Sequence, residues 1–539
     1  MTQERCGMQN QALEWSYPSG KVYADPFNQV ELDVVFTDPE GIERRVPAFW
    51  AGGDVWRVRY ASAQVGKHSW RSVCSDAANA DLQGQEGWVE IAPYTGTNPL
   101  YQHGPLRVHE SQRYLEHADG TPFFWLGDTW WMGLVTRLRW PEEFRRLTAD
   151  RVTRGFTLVQ IVAGLYPDMG AFDPRGRNEA GFPWTENWTR IRPEYFDMAD
   201  LRIAYLVEAG LVPCIVGCWG YYMDFCGPEA LKKHWRYLVA RWGAYPVVWC
   251  VAGEVLMPWY LRKFADAEER RACEQKTQEQ WQEVTRYLRS LDPWRHPVTG
   301  HPGGRGSREM LGDDLVDIEM LQTGHGGHRD IPNTLTLVTE SVAQQPKMPV
   351  VNGEVSYEGI GGGCWEDVQR FMFWACLLSG AAGHTYGANG IWQMSTLREP
   401  YGPSPHGLCW GNTPWEIAYR LPGSEQVGIG KRLLERYEWW RLEPDFDAVQ
   451  PRWSPQNYYG PYAARIPGQC RIIFLPTQWM CPVVRGLDRS ARYRAFLFDL
   501  ATGHEYDCGC FTPDSEGQWS TGKPVPILGD LLLVVEEVK

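Results

Sequence analysis

Between about residues 105 and 440 the chain repeats one unit: a short apolar run, then an amphipathic stretch. Eight apolar runs stand out, at 123–126, 157–162, 212–216, 247–251, 297–300, 316–320, 349–352 and 383–386. Helical patterns lie between several of them. Leu231, Trp235, Leu238 and Trp242 follow the 4, 3, 4 spacing of one helical face, and Gly243 and Pro246 stop that helix. Residues 266–291 read as a long charged helix ending at Asp292-Pro293. Repeated strand–helix units require parallel strands joined by crossover helices. Eight such strands over about 335 residues suit a (β/α)8 TIM barrel with insertions. A doubly wound sheet is the alternative, but it would carry a Gly-rich phosphate loop after its first strand. The run His301-Pro-Gly-Gly-Arg305 follows a late strand instead and lacks the Lys-Ser/Thr ending.

The flanks have a different texture. Residues 10–95 alternate apolar and polar positions, as in Val30-Glu-Leu-Asp-Val-Val-Phe36 and Val55-Trp-Arg-Val-Arg-Tyr60, between turns such as Asp38-Pro-Glu-Gly41. That pattern predicts an antiparallel β-sandwich. From 441 to 539 short strands return at 470–475, 494–500 and 528–536, which predicts a second one. The expected architecture is multidomain, α/β plus all-β: a barrel at 105–440 between two β-sandwiches.

Composition narrows the function. The 539 residues carry 53 Lys+Arg against 66 Asp+Glu, a net charge of −13. An acidic chain without a long basic cluster is a poor nucleic-acid binder. No apolar run reaches the ~18–20 residues of a membrane span, and the N-terminus lacks the basic and apolar segments of a signal peptide. The 14 Cys are scattered, many in apolar runs, as expected of buried thiols in a reducing cytoplasm. Neither Cys508-Gly-Cys510, Cys214-x-x-x-Cys218 nor His325-x-x-His328 supplies the two ligand pairs of a zinc site, so no metal or other cofactor is expected. The 28 Trp and 25 Tyr suit a ligand polar at its rim and apolar on its ring faces, such as a sugar, although most will be core. The oligomeric state is not legible.

Barrel enzymes place their chemistry at the C-terminal ends of strands. The fourth run leads into Ala252-Gly253-Glu254 and the seventh into Asn352-Gly353-Glu354. Each Glu closes an apolar strand, and the two strands lie nearly opposite in a closed barrel. Two carboxylates flanking one bond are the minimum equipment for glycoside hydrolysis, one protonated and one ionised. The bland alternative for either is an Arg partner or a helix cap. Asp128 is a third acid, equally readable as a sugar ligand or a turn residue. Trp130, Trp131, Trp219 and Trp392 are candidate stacking surfaces, while His301, His384 and Tyr386 are candidate orienting groups. A non-catalytic carbohydrate-binding barrel would keep the Trp rim without needing both Glu. A metal-dependent hydrolase would need a His cluster that is missing.

These segments resemble a known family. Arg113-Tyr-Leu-x6-Pro122-Phe-Phe-Trp-Leu-Gly-Asp128-Thr-x-Trp131, Arg154-Gly-Phe-Thr-Leu-Val-Gln160, Val247-Val-Trp-Cys-Val-Ala-Gly-Glu254, Pro349-Val-Val-Asn-Gly-Glu354 and Ser379-Gly-Ala-Ala-Gly-His384-Thr-Tyr-Gly-x-Asn389-x-Ile-Trp-Gln393 recur in order. They resemble the apiosidase-like glycoside hydrolases over about 105–440. The segment with Pro26-Phe, Pro47-Ala-Phe-Trp and Gly66-Lys-His-Ser-Trp resembles the small sandwich that often precedes such barrels. The resemblance implies a TIM barrel acting on a carbohydrate, with Glu254 as acid/base, Glu354 as second carboxylate, and Gln160 and Asn389 among the substrate-binding positions. Relatives often carry Asp where this chain has Glu254, which moves the acid by about one C–C bond, ~1.5 Å. A retaining mechanism is expected, with inversion as the alternative.

Overall fold

The computed structural model describes residues 3–304 and 306–538. The barrel strands are, in chain order, Trp125–Trp130, Leu158–Val162, Val212–Val216, Val248–Cys250, Val298–Thr299, Glu319–Gln322, Val350–Glu354 and Gly383–Tyr386. They run parallel in the order fifth, fourth, third, second, first, eighth, seventh, sixth. Among the described residues the fifth and sixth strands share no ladder. That seam is held by Asp317 N–H donating to the Val298 carbonyl at 2.8 Å and Thr299 Oγ1 donating to the Ile318 carbonyl at 2.9 Å.

Two strands differ from expectation. The first starts later because Pro122–Phe123 pairs with Leu115–His117, which pairs in turn with Leu106–Val108 in a small antiparallel sheet. The apolar pair Phe123-Phe124 masks that break, and the true strand continues into polar Asp128 and Thr129. The sixth strand starts three residues later and ends two later than expected, because its fully buried sequence opens with Glu319.

The expected helical face is real. Leu231, Trp235, Leu238 and Trp242 are all buried in helix Tyr222–Trp242, which ends at Gly243. Helix Ala267–Leu291 is capped by Asp266, whose carboxylate accepts from the Glu268 and Glu269 N–H groups at 2.9 Å.

The N-terminal region forms a five-stranded sheet over a three-stranded one. An edge strand, Gln3–Met8, precedes the segment expected to fold and pairs parallel with Glu86–Ala92. The sandwich grips the barrel through Arg59, which reaches the Arg241 carbonyl at 2.6 Å and Asp200 at 2.5 Å.

The C-terminal region is a six-stranded antiparallel sheet with a two-stranded ribbon of Val449–Gln450 and Val483–Val484. Its inner strands bury both faces, which is why Cys470–Leu475 and Leu531–Val538 read as continuous apolar runs rather than alternating ones. Ile472, Phe474, Leu532 and Val534 belong to the barrel's core. Ile473, Leu475, Leu533 and Val535 form a separate core on the other face.

Candidate active site

Strand periodicity sorts the candidates. Along the first barrel strand Asp128 and Trp130 share a face, and that face meets the helix layer. Asp128 Oδ2 accepts from Arg151 Nε at 2.5 Å and from Trp130 Nε1 at 2.7 Å, with both acid and Arg fully buried. Trp130 packs edge-on against Phe144 of the same outer helix as Arg151. Trp131 escapes that face at the strand's end, donates from Nε1 to Tyr357 Oη at 2.8 Å, and lines a cavity at the barrel mouth.

That cavity, of about 230 Å³, also contains Glu254, Glu354, Trp219 and Trp392. Glu354 ends the seventh strand. Its Oε1 accepts from His325 Nε2 at 2.8 Å and Gln322 Nε2 at 2.9 Å, and its Oε2 lies 3.0 Å from His301 Nε2. Glu254 stands just past the fourth strand with a left-handed φ of 44°, rare for a side-chain-bearing residue. Its loop is clamped by the Gly220 N–H on the Gly253 carbonyl at 2.6 Å and the Met257 N–H on its own carbonyl at 2.7 Å. Trp219 Nε1 donates to Glu254 Oε2 at 3.2 Å and Gln322 Nε2 to Oε1 at 3.1 Å. One amide nitrogen thus touches both carboxylates. The two oxygens it holds are therefore within about 6 Å of each other.

The surroundings set the two acids differently. Burial raises the Glu254 carboxyl above its ordinary value, and the Glu354 charge raises it further. Burial would also raise Glu354, but His301 and His325 outweigh it and hold Glu354 below the carboxylate range. Burial would lower His325, yet its bond to Glu354 leaves it raised. The surroundings thus favour the protonated form of Glu254 and the ionised form of Glu354.

The remaining sequence candidates do not line the cavity. His301 is fully buried behind it, between Trp131, Trp219 and Glu354. Gln160 crosses the barrel interior, donating to the Gly353 carbonyl at 2.8 Å beneath Glu354. His384 faces outward onto Phe373 of an outer helix, and burial pushes its imidazole down to about 3. Tyr386 donates to Glu358, and Asn389 Oδ1 accepts from Gln393. These five, with Asp128 and Trp130, occupy interior or helix-facing positions away from the cavity lining. Trp219 and Trp392 join Trp131 on the cavity wall.

Sequence reasoning missed Gln322, His325, Tyr357 and Asp168. Gln322 ends the true sixth strand, so the strand-end rule would have found it had that strand not been ended early. Asp168 lies in a loop that folds back over the mouth, where no strand-end rule reaches. Among the described residues no group of three or more His, Cys, Asp or Glu is arranged to hold a metal ion.

A parallel eight-stranded barrel with two carboxylates at its mouth has the equipment of a barrel glycoside hydrolase. Residues 109–441 match the family model "Apiosidase-like, catalytic domain", and residues 8–75 match a domain of unknown function, DUF5060. The chain belongs to the apiosidase-like family and is by that membership a glycosidase. Among solved structures it is similar to a "Glycoside hydrolase" at 23% identity and TM-score 0.65, covering 82% of this chain and 98% of that one. It is similar to a glycoside hydrolase family 5 protein from Bacteroides vulgatus at 22% and 0.66, covering 82% and 95%. A putative glycoside hydrolase from the same organism matches at 17% and 0.71, covering 99% and 100%. These likenesses concern the fold. No curated protein matches the sequence. Among the described residues no helix is long and apolar enough to cross a membrane.

Proposed function

We propose that the chain removes a terminal sugar from small glycosides or oligosaccharides with retention of configuration. The sugar's anomeric carbon sits between the two carboxyls. Glu254 gives its proton to the leaving oxygen while Glu354 attacks the anomeric carbon, forming a glycosyl ester and releasing the aglycone. Glu254, now ionised, takes a proton from water, which attacks the same carbon and frees Glu354. The observation that carries this reading is the pair of oppositely set carboxyls held by one Gln322 amide. Their two nearest oxygens lie within about 6 Å, close enough to allow the 5–5.5 Å carboxyl gap of double displacement. The cavity's 230 Å³ equals roughly seven or eight waters at about 30 Å³ each, which suits one sugar ring rather than a chain. The compartment we assign is the cytoplasm, supported by fourteen free thiols.

The test is a panel of 4-nitrophenyl glycosides, with proton NMR of the anomeric signal in the first minutes of hydrolysis. First-formed sugar of the substrate's own configuration is expected. Inverted sugar would make Glu354 a general base and rule out the ester. No turnover across hexosides and pentosides of both configurations would favour a carbohydrate-binding role.

A further inference from the structure

One carboxylate in the cavity takes no part in the chemistry above. Asp168 is only 3% exposed and lines the cavity with Glu254 and Glu354. Its backbone is left-handed, φ 61°, and pinned on both sides. Its N–H donates to Tyr260 Oη at 3.1 Å, and its carbonyl accepts from Tyr401 Oη at 3.1 Å. The side chain is not satisfied in the same way: Oδ2 is buried without a hydrogen-bond partner.

The Ser404 and Trp410 side chains lie within hydrogen-bonding reach of the carboxyl and, with the Arg175 and His406 charges, favour its ionised form, while Oδ2 stays open. Trp410 Nε1 is committed to Ser404 Oγ at 3.0 Å. Arg175 is committed to Asp173 at 2.8 Å and to the Tyr401 and Pro403 carbonyls. Burial pushes the Asp168 carboxyl up to about 6. A strained, buried acid with an open acceptor is costly to keep, and such costs concentrate where a ligand relieves them. Tyr260 lies within electrostatic reach of both Glu254 and Asp168, which puts the two acids along one wall.

We infer that Asp168 is a specificity-determining residue whose carboxylate accepts hydrogen bonds from hydroxyls of the sugar held beside Glu254, so that the site takes an uncharged polyhydroxylated ring and rejects a uronic acid. The inference rests on the glycosidase reading. An ionised carboxylate accepts and cannot donate. A sugar hydroxyl supplies the missing donor, whereas a sugar carboxylate brings a further negative charge toward Glu354 and Asp168 in a water-poor site.

The experiment compares wild type and Asp168→Asn on neutral 4-nitrophenyl hexosides and pentosides and on the matching glucuronide and galacturonide. Asn tolerates a left-handed backbone well, so the variant should fold and melt as the wild type does. Wild type should prefer neutral substrates by roughly 10²-fold or more in kcat/KM. In Asp168→Asn, KM for the best neutral substrate should rise about tenfold with a smaller change in kcat, and the neutral-to-uronide ratio should fall at least tenfold. An unchanged KM and ratio would overturn the inference.

The same sugars in free form, titrated by tryptophan fluorescence, separate this failure from failure of the enzymatic reading. If wild type cleaves nothing yet binds neutral sugars, and Asp168→Asn loses that binding, the inference stands without the catalysis. Equal binding by both proteins, or none by wild type, overturns it.

Discussion

Glu254 and Glu354 are the same residue type, and their surroundings alone make them different acids. The rate should need Glu254 protonated and Glu354 ionised. Since Glu254 is raised, activity should persist to higher pH than an ordinary carboxylic acid allows and fall as Glu254 loses its proton. Since Glu354 is lowered, the acid limb should lie below the usual carboxylate range. Glu254→Gln should lower kcat/KM about 10²–10⁴-fold on poor leaving groups and abolish the alkaline limb, read as kcat/KM against pH on an alkyl glycoside. Glu354→Gln should cost at least as much, and near-normal turnover in either variant rejects the assignment. Both glutamates were legible because an acid closing an apolar strand is conspicuous. Asp128 read equally as a sugar ligand or a turn residue, and Trp130 as a stacking surface or core. Counting in twos from Trp131 would have turned them toward the helices.

Secondary-structure elements act here as positioning devices. Gly253 pairs with Trp219 across two loops, and a Cβ at 253 would meet the Trp219 ring at 2.2 Å. Gly253→Ala should therefore displace Trp219 from Glu254 and cut kcat/KM at least tenfold, with intrinsic fluorescence reporting the moved ring. A fluorescence spectrum and rate like those of wild type would contradict that account. The Asp128–Arg151 pair ties the first strand to its outer helix without touching the cavity. Asp128→Ala leaves the buried Arg151 with Asp150 as its remaining carboxylate and should destabilise the protein by denaturant titration, while the folded fraction keeps its KM. Strand existence was legible from apolar runs. Strand ends were not, because Glu319 and Asp128 are polar residues that only tertiary partners explain.

At the scale of the whole molecule, the C-terminal sheet is bound into the barrel's core. Phe371 on an outer helix meets Phe474 edge-on, and Arg370 grips Asp530 through two bonds of 2.7 and 2.9 Å. Phe474→Ala should destabilise the protein by about 3–5 kcal/mol and lower the melting of sheet and barrel together in one calorimetric transition. A separate, earlier transition would mean that the sheet folds independently. The three-part order was legible from texture, since a strand–helix repeat differs on sight from the short, turn-separated strands that flank it. The double burial of the C-terminal sheet was not, because its continuous runs do not say what lies on either side. Among the described residues the barrel's seven ladders make a ring with one seam that lacks a ladder and is bridged by the Asp317–Val298 and Thr299–Ile318 bonds. A split ring yields at its split, and the parts beside it travel furthest. Gln322 rides one lip and His301 follows the other, so the two jaws on Glu354 stand on opposite sides of the opening. Warming that spreads the lips would loosen both grips at once, so the enzyme should fall silent several degrees before it melts.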